Sequence, residues 1–427
     1  MSLNKRDKKT IWHPYTPAKL SPDSIGIIKS KGTLLWDENG NKYIDAVSSW
    51  WTNIHGHAHP FIANAIAQQA KKLEQVIFAG FTHKPAVHLA ERLLKLLPSN
   101  QSKVFFSDDG STAVEVALKM SLQYFFNSGK KKQIVIAIEN SYHGDTFGAM
   151  SVSGRGVFTN PFNELLFQVR FIPFPSMGEG EKVALESLKN IILSEKENIS
   201  AFIFEPLVQG TAGMMMYESG VLDKLIRICK ENDIITIADE VMTGFGRTGE
   251  MFACNELKEK PDIFCLSKGL TGGFMPLGIT TCSGAIFESF YSDDRLKTFF
   301  HGHSYTANPL ACSAANASLD LFDTENTLKK ISAINKQHNN WKETMVGNKM
   351  IKEIRVKGSI CAVEIKSNDT SYFFSLRDKL YQFYLSKGVL LRPLGNVVYI
   401  LPPYCITKKE LSKVYSVIEE SILKIVK

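Results

Sequence analysis

Between about residues 100 and 290, short apolar runs with no polar alternation are separated by longer stretches of helical periodicity. Lys103–Phe106, Ile134–Ile138, Ala201–Phe204, Ile234–Ala238 and Ile263–Leu266 are such runs, and a strand of this kind is buried on both faces. Between two of them, Val221, Leu222, Leu225, Ile226 and Cys229 recur at helical spacing. Ser111 to Phe126 carries a similar stripe of Val114, Ala117, Leu118, Leu122 and Phe125. Strand–helix alternation with fully apolar strands predicts an α/β body: a mostly parallel sheet covered by helices on both sides.

The two ends read differently. Thr33–Trp36 and Lys42–Ile44 flank a Gly40-Asn41 pair, which predicts a hairpin. Beyond about residue 328 the pattern is a long helix, a strand near 359–365 and another helix. A hairpin at 389–401, turning at Leu394-Gly395-Asn396, and a last helix from Thr407 complete it. That is an α+β pattern, and both ends can pack together as one smaller unit beside the central body.

Fifty basic against 43 acidic residues give a net charge of +7, and the only basic block is Lys130-Lys131-Lys132, which reads as a solvated turn. This is too little for a nucleic-acid surface. No window approaches the 18 or so consecutive apolar residues of a membrane helix, and no apolar run follows the charged N-terminus as in a signal peptide. Seven scattered cysteines, none in a CxxC pair, argue against a disulfide framework or a zinc finger. The expectation is a soluble cytoplasmic protein without nucleic-acid or membrane partners.

The chemistry gathers where apolar strands end. Lys268 follows Ile263–Leu266 in a small-residue turn; desolvation lowers an amine pKa, and such a lysine can carry a Schiff base. Asp239 ends the run Ile234–Ala238, and ligands of open α/β sheets lie outside the carboxyl ends of the strands. A buried aspartate for a pyridinium nitrogen and a lysine for an aldehyde are what a pyridoxal phosphate enzyme needs. Val241, two residues on, would face the same side and pack under the ring. Gly110, Ser111 and Thr112 open an amphipathic helix, offering N–H groups to an anion or an ordinary N-cap. Tyr142 follows the strand 134–138 and can stack on a flat ring or lie in the core.

Two motifs point elsewhere. Gly244-Phe245-Gly246-Arg247-Thr248-Gly249 matches GxGxxG after a strand, but a charge sits inside it, no clear helix follows, and no strand-end acid lies about 20 residues on. His55-Gly56-His57-Ala58-His59 has alternate spacing suited to a metal, yet no acid or cysteine is adjacent and Pro60 marks a turn before a helix. Turn geometry is the better reading, and no metal is expected.

Together the GHAHP turn, DDGSTAVEVALKM, YHGDTFGAMS, FEPLVQG, IADEVMTGFGRTG, SKGLTGG and HGHSYTANPLACSAANASL resemble the class III, fold-type I pyridoxal phosphate aminotransferases over nearly the whole chain, including the 29 positions from Asp239 to Lys268. The resemblance implies pyridoxal 5′-phosphate as cofactor and a large domain over residues 49–328, with a smaller α+β domain from 1–48 and 329–427. It implies Lys268 and Asp239 as catalytic residues, and Gly110, Ser111, Tyr142, Val241, His303 and Ser304 as further cofactor contacts. Gly302, His303 and Ser304 would reach the neighbouring subunit's site, so a homodimer with composite sites is expected; Ser304 stands where many relatives have Thr and keeps the hydroxyl.

Trp12-His13-Pro14-Tyr15-Thr16, Ser48-Ser49-Trp50-Trp51 and Leu391-Arg392-Pro393 with Tyr399 narrow the resemblance. They are similar to the branch of the family that aminates 8-amino-7-oxononanoate to 7,8-diaminononanoate in biotin synthesis, with S-adenosyl-L-methionine as donor. Lysine as donor, or another ω-amino acid aminotransferase, are the alternatives. The narrower resemblance implies Tyr15 as a catalytic and substrate-binding residue. Trp50, Trp51, Tyr142, Lys268, Gly302, Arg392 and Tyr399 join it at the substrate. A carboxylate on a long apolar chain suits a guanidinium at one end and aromatic walls between, although such tryptophans can also be core anchors and such an arginine a surface ion pair.

Overall fold

In the computed structural model, which describes residues 2–371 and 375–426, the apolar runs of the middle of the chain form one seven-stranded sheet. At the N-terminal end, β1 (Ile27–Lys31), β2 (Leu34–Asp37) and β3 (Lys42–Asp45) form an antiparallel meander. The Gly40-Asn41 turn joins the last two in the register Leu34↔Ile44. The central strands are β4 (Gln101–Ser107), β5 (Ile134–Ile138), β6 (Val169–Ile172) and β7 (Ile199–Phe204). After a two-residue ribbon of β8 (Val208–Gln209) and β9 (Met215–Met216), β10 (Ile235–Asp239), β11 (Ile263–Leu266) and β12 (Gly278–Ser283) complete the sheet.

Their order is β4-β12-β11-β10-β7-β5-β6, and only β12 runs against the others. Every residue of β5, β7, β10 and β11 is buried, because helices cover both faces. The helix Gly110–Asn127 lies on one face and Ser219–Glu231 packs through Leu222, Leu225 and Ile226 on the other. Among the described residues no helix is long and apolar enough to cross a membrane.

β12 is not evident from the sequence. Its run Gly-Ile-Thr-Thr-Cys-Ser contains hydroxyls that find partners inside: Thr280 donates to the Ala113 carbonyl at 2.7 Å and Thr281 to Gln101 Oε1 at 2.7 Å. β6 and β13 (Ile351–Lys357) likewise go unread, their apolar residues being interrupted by charges.

The hairpin expected at 389–401 does not form. β15 (Val389–Leu390) pairs parallel with β3, whereas β16 (Val397–Ile400) pairs antiparallel with β14 (Ile360–Ile365). The turn itself is present: Leu394 and Val397 exchange backbone hydrogen bonds at 2.9 Å around Gly395. Pro393, without an N–H, lies in the connection that carries the chain from one sheet to the other. Strands from the two chain ends thus share the sheet β1-β2-β3-β15. Lys132 also departs from the solvated turn expected of its block: it is buried, donating to the Asp233 carbonyl at 2.7 Å.

Candidate active site

Five strands that run the same way deliver their carboxyl ends to one edge of the central sheet. After β4 come Asp108, Asp109, Gly110 and Ser111; after β5, Tyr142 and His143; after β7, Glu205; at the end of β10, Asp239; after β11, Ser267 and Lys268. All of them line one cavity of about 560 Å³. This is the place where an open α/β sheet holds its ligand.

Lys268 sits at positive φ (44°) in a single 3₁₀ turn, half-buried, with its amine 4.7 Å from the centre of the Trp51 ring. Burial pushes the amine down to about 8. The positive charge of Arg247 adds to the shift, and the negative charges of Asp239 and Glu205 oppose it. On the neighbouring strand, Asp239 is fixed at both oxygens. Oδ1 accepts from the Val241 N–H at 3.1 Å, and Oδ2 is 2.7 Å from Nδ1 of His143.

His143 is buried, and its Nε2 has no partner. Glu205 accepts from the N–H groups of Tyr142 (3.1 Å) and Gly210 (3.0 Å). Burial, helped by Asp239, pushes its carboxyl up to about 7. His143 and Glu205 are site residues that the sequence reading passed over, although Glu205 directly follows an apolar run.

The helix over Gly110–Asn127 begins one residue earlier than its stripe suggests. Asp109 is its N-cap, accepting from the Thr112 N–H at 2.8 Å, while Thr112 Oγ1 accepts from the Asp109 N–H at 3.0 Å. This cap occupies Thr112 and leaves the first-turn N–H groups of Gly110 and Ser111 without partners in the helix itself. A Cβ on Gly110 would come within 2.6 Å of Val241 Cγ1, and one on Gly144 would strike the Ser111 side chain. The helix start, the 141–145 turn and Val241 therefore close on one another, and only glycine permits it. An anion-binding helix start, a fixed carboxylate and a lysine of lowered pKa on one cavity wall fit pyridoxal phosphate in its phosphate, ring nitrogen and aldehyde.

The opposite wall is aromatic and comes from both chain ends. Trp51 is buried and donates Nε1–H to Tyr399 Oη at 3.1 Å; Trp50 is 42% exposed and lies 4.9 Å beneath the Arg392 guanidinium. Both tryptophans thus face the cavity, and Arg392 projects from the β15–β16 connection rather than from a hairpin strand. Tyr15 contacts Trp50 and Phe158 edge-on at 5.5 and 5.7 Å. Its hydroxyl lies 3.2 Å from that of Tyr142 and donates to Asp145. Burial and this contact raise the Tyr142 pKa. Phe158 and Asp145 also escaped the sequence reading, since nothing local marks them.

Gly302, His303 and Ser304 do not line the cavity of this chain. Gly302 and Ser304 are exposed, Ser304 accepts from Gln75 through its carbonyl at 2.5 Å, and His303 Nε2 is buried without a partner. The three histidines of the HxHxH turn go to separate partners: His55 to Ser318 (3.1 Å), His57 to Asp45 (2.8 Å) and His59 to Glu325 (3.0 Å).

A sequence profile described as Aminotransferase class-III matches residues 16–422. The adenosylmethionine-8-amino-7-oxononanoate aminotransferase of Synechococcus elongatus is 46% identical over 415 residues, 96% of this chain and 97% of that protein. The crystal structure of the enzyme of that name from Methanocaldococcus jannaschii superposes with a TM-score of 0.92 at 38% identity, covering 98% of both chains. An amine transaminase from an uncultivated Pseudomonas species, solved in its PLP-bound form, gives 0.92 at 29% identity over 97% of this chain and 98% of that one. Fold, cavity and likeness agree, and the chain belongs to the class III aminotransferases.

Proposed function

We propose that this aminotransferase transfers an amino group to the ketone of 8-amino-7-oxononanoate, giving 7,8-diaminononanoate for biotin synthesis, with S-adenosyl-L-methionine as donor. The observation that carries this reading is Arg392 over Trp50, in the same cavity as Lys268. An arginine at one end of an aromatic wall and an amine at the other suit a carboxylate separated from a ketone by an apolar chain. Two of the relatives, from Synechococcus elongatus and Methanocaldococcus jannaschii, are named adenosylmethionine-8-amino-7-oxononanoate aminotransferase.

The cofactor is pyridoxal 5′-phosphate, as membership of the class III aminotransferases entails. When bound, it supplies an aldehyde that takes up the amino group and an electron-poor ring that stabilises negative charge at the substrate carbon. Lys268 would hold the aldehyde carbon and would carry the proton to and from the substrate carbon; a pKa of about 8 leaves a good share of free amine under mildly alkaline conditions. Asp239, held by the Val241 N–H and His143, presents its carboxylate to the ring nitrogen. Gly110 and Ser111 would receive the phosphate, and Tyr142 and Val241 would contact the ring. Arg392 holds the substrate carboxylate, while Trp50, Trp51, Tyr15 and Tyr399 line its chain and keep water out.

The active form in this reading is a cytoplasmic homodimer. Gly302, His303 and exposed Ser304 serve the neighbouring copy's site, and exposed Phe300 and Tyr305 flank them. Seven free thiols suit a reducing compartment.

Arg392→Ala tests the substrate assignment. The KM for 8-amino-7-oxononanoate should rise strongly while the donor half-reaction stays nearly normal. Losing a charge-assisted bidentate pair costs about 1.5–3 kcal/mol, roughly tenfold to a hundredfold. A collapsed donor half-reaction with an unchanged KM for the oxononanoate would make Arg392 a donor-carboxylate ligand and the chain a general ω-aminotransferase.

A further inference from the structure

The GxGxxG segment 244–249 does not line the cavity, yet it holds the most deeply buried arginine of the described residues. Arg247 is 1% exposed. Its Nη2 donates to the Trp51 carbonyl at 3.1 Å, its Nη1 donates to the Pro402 carbonyl at 2.9 Å, and the guanidinium lies 5.0 Å from the Tyr404 ring. Trp51 and Pro402 come from opposite ends of the chain. Each carries a piece of the cavity wall: the Trp51 ring itself, and Tyr399 three residues before Pro402. The two rings meet edge-on at 6.1 Å, joined by the Nε1–Oη bond.

The turn that presents Trp51 is strained, although its own backbone bonds close it, from the Trp51 N–H to the Val47 carbonyl at 3.1 Å and from the Thr52 N–H to the Ser48 carbonyl at 3.0 Å. Ser48, Ser49 and Trp51 all have positive φ (52°, 59° and 68°), a conformation unfavourable for residues with a Cβ. Contacts from outside the turn add to its own bonds. On one side the fully buried Asp45 carboxylate accepts from the N–H groups of Val47 (3.0 Å) and Ser49 (2.6 Å) and is fixed by His57. On the other side Arg247 takes the Trp51 carbonyl. A buried guanidinium forfeits its hydration, which is recovered here only through these carbonyls and the aromatic face.

We infer that Arg247 is a positioning residue: by tying the Trp51 turn to the Tyr399–Pro402 segment it sets the wall along which the substrate chain lies, over Lys268. The inference rests on the proposed roles of Lys268 and Trp51. Because the wall touches the substrate before and during reaction alike, displacing it should act on KM more than on kcat.

Arg247→Lys keeps the charge and cannot reach both carbonyls in a planar fork. It should raise the KM for 8-amino-7-oxononanoate by about tenfold, the scale of losing one hydrogen bond from a charged group, with a much smaller change in kcat. In the cofactor-free protein its tryptophan emission should shift to the red, and that shift should vanish in the Trp51→Phe background. The double variant should fall short of the sum of the two single changes, since part of the Arg247 effect reaches the substrate through the Trp51 ring. Additive effects, or a folded Arg247→Lys with the parent's KM and emission, overturn the inference.

If Arg247→Lys does not fold, Tyr404→Leu, which removes the ring beneath the guanidinium, should reproduce the KM rise in part, and a parent-like KM there also overturns it. Lys268→Ala separates the two readings. Turnover in that variant refutes the site, whereas its loss beside parent-like Arg247 variants refutes only the positioning role.

Discussion

Lys268 and Asp239 stand out in the sequence because a chemically capable side chain directly follows an apolar run, and a sheet of known polarity turns that adjacency into a location. The same rule applied to Phe204-Glu205 would have found the buried carboxylate at the end of β7. His143 could not be found this way: its part is defined by a 2.7 Å contact to a residue 96 positions away. Lys268→Ala should fold normally, fail to develop the cofactor's visible absorption band and lose turnover, since anchor and proton carrier vanish together. Asp239→Asn keeps the shape and removes the charge. A loss of about 3–4 kcal/mol in the barrier, measured as kcat/KM, is the size expected of a preorganised electrostatic contact.

The amine of Lys268 also fixes a pH window. In the folded cofactor-free protein it titrates at about 8, and in the unfolded chain near the ordinary lysine value of 10.5. Between these values the unfolded state binds more protons, so this group's contribution to stability rises with pH from about 8 to above 10 and its burial costs most below 8. Cofactor uptake by the free enzyme should speed up through the same midpoint near pH 8, followed as growth of the visible band. A midpoint near 10.5 would show that the amine is not desolvated.

At the scale of elements, the central strands were legible because burial on both faces leaves an unbroken apolar run, and β11 matches its run residue for residue. β12 and the 389–401 segment were not. In β12 inward hydroxyls look polar until their partners in neighbouring elements are known, and the 389–401 turn says nothing about which sheet each flank joins. The helix start at Gly110 offers a test of packing. Gly110→Ala forces a Cβ against Val241, so the dissociation constant of the cofactor, measured by equilibrium dialysis, should rise. Val241→Ala added to Gly110→Ala should recover part of the loss. Equal affinity in the parent and Gly110→Ala would show that the close approach of helix and strand end does not shape the site.

For the whole molecule, β15 from one chain end pairs with β3 from the other, and through Arg247 that union reaches the cavity wall. The place of Gly302, His303 and Ser304 outside their own chain's cavity fits sites completed by a second copy, which no single sequence displays directly. Ser304→Ala should weaken cofactor binding. A hybrid dimer of one Lys268→Ala and one Ser304→Ala subunit should then hold one site with both defects and one with neither, so that each isolated hybrid dimer shows about half the parent's activity.

In the proposed function this cavity aminates 8-amino-7-oxononanoate with the help of Lys268. The most direct test is mass-spectrometric detection of the diamine when the purified holoenzyme is given 8-amino-7-oxononanoate and S-adenosyl-L-methionine. The parent enzyme should give 7,8-diaminononanoate and Lys268→Ala none. No diamine with S-adenosyl-L-methionine or lysine, from an enzyme that transaminates simple ω-amino acids, would contradict the proposed function.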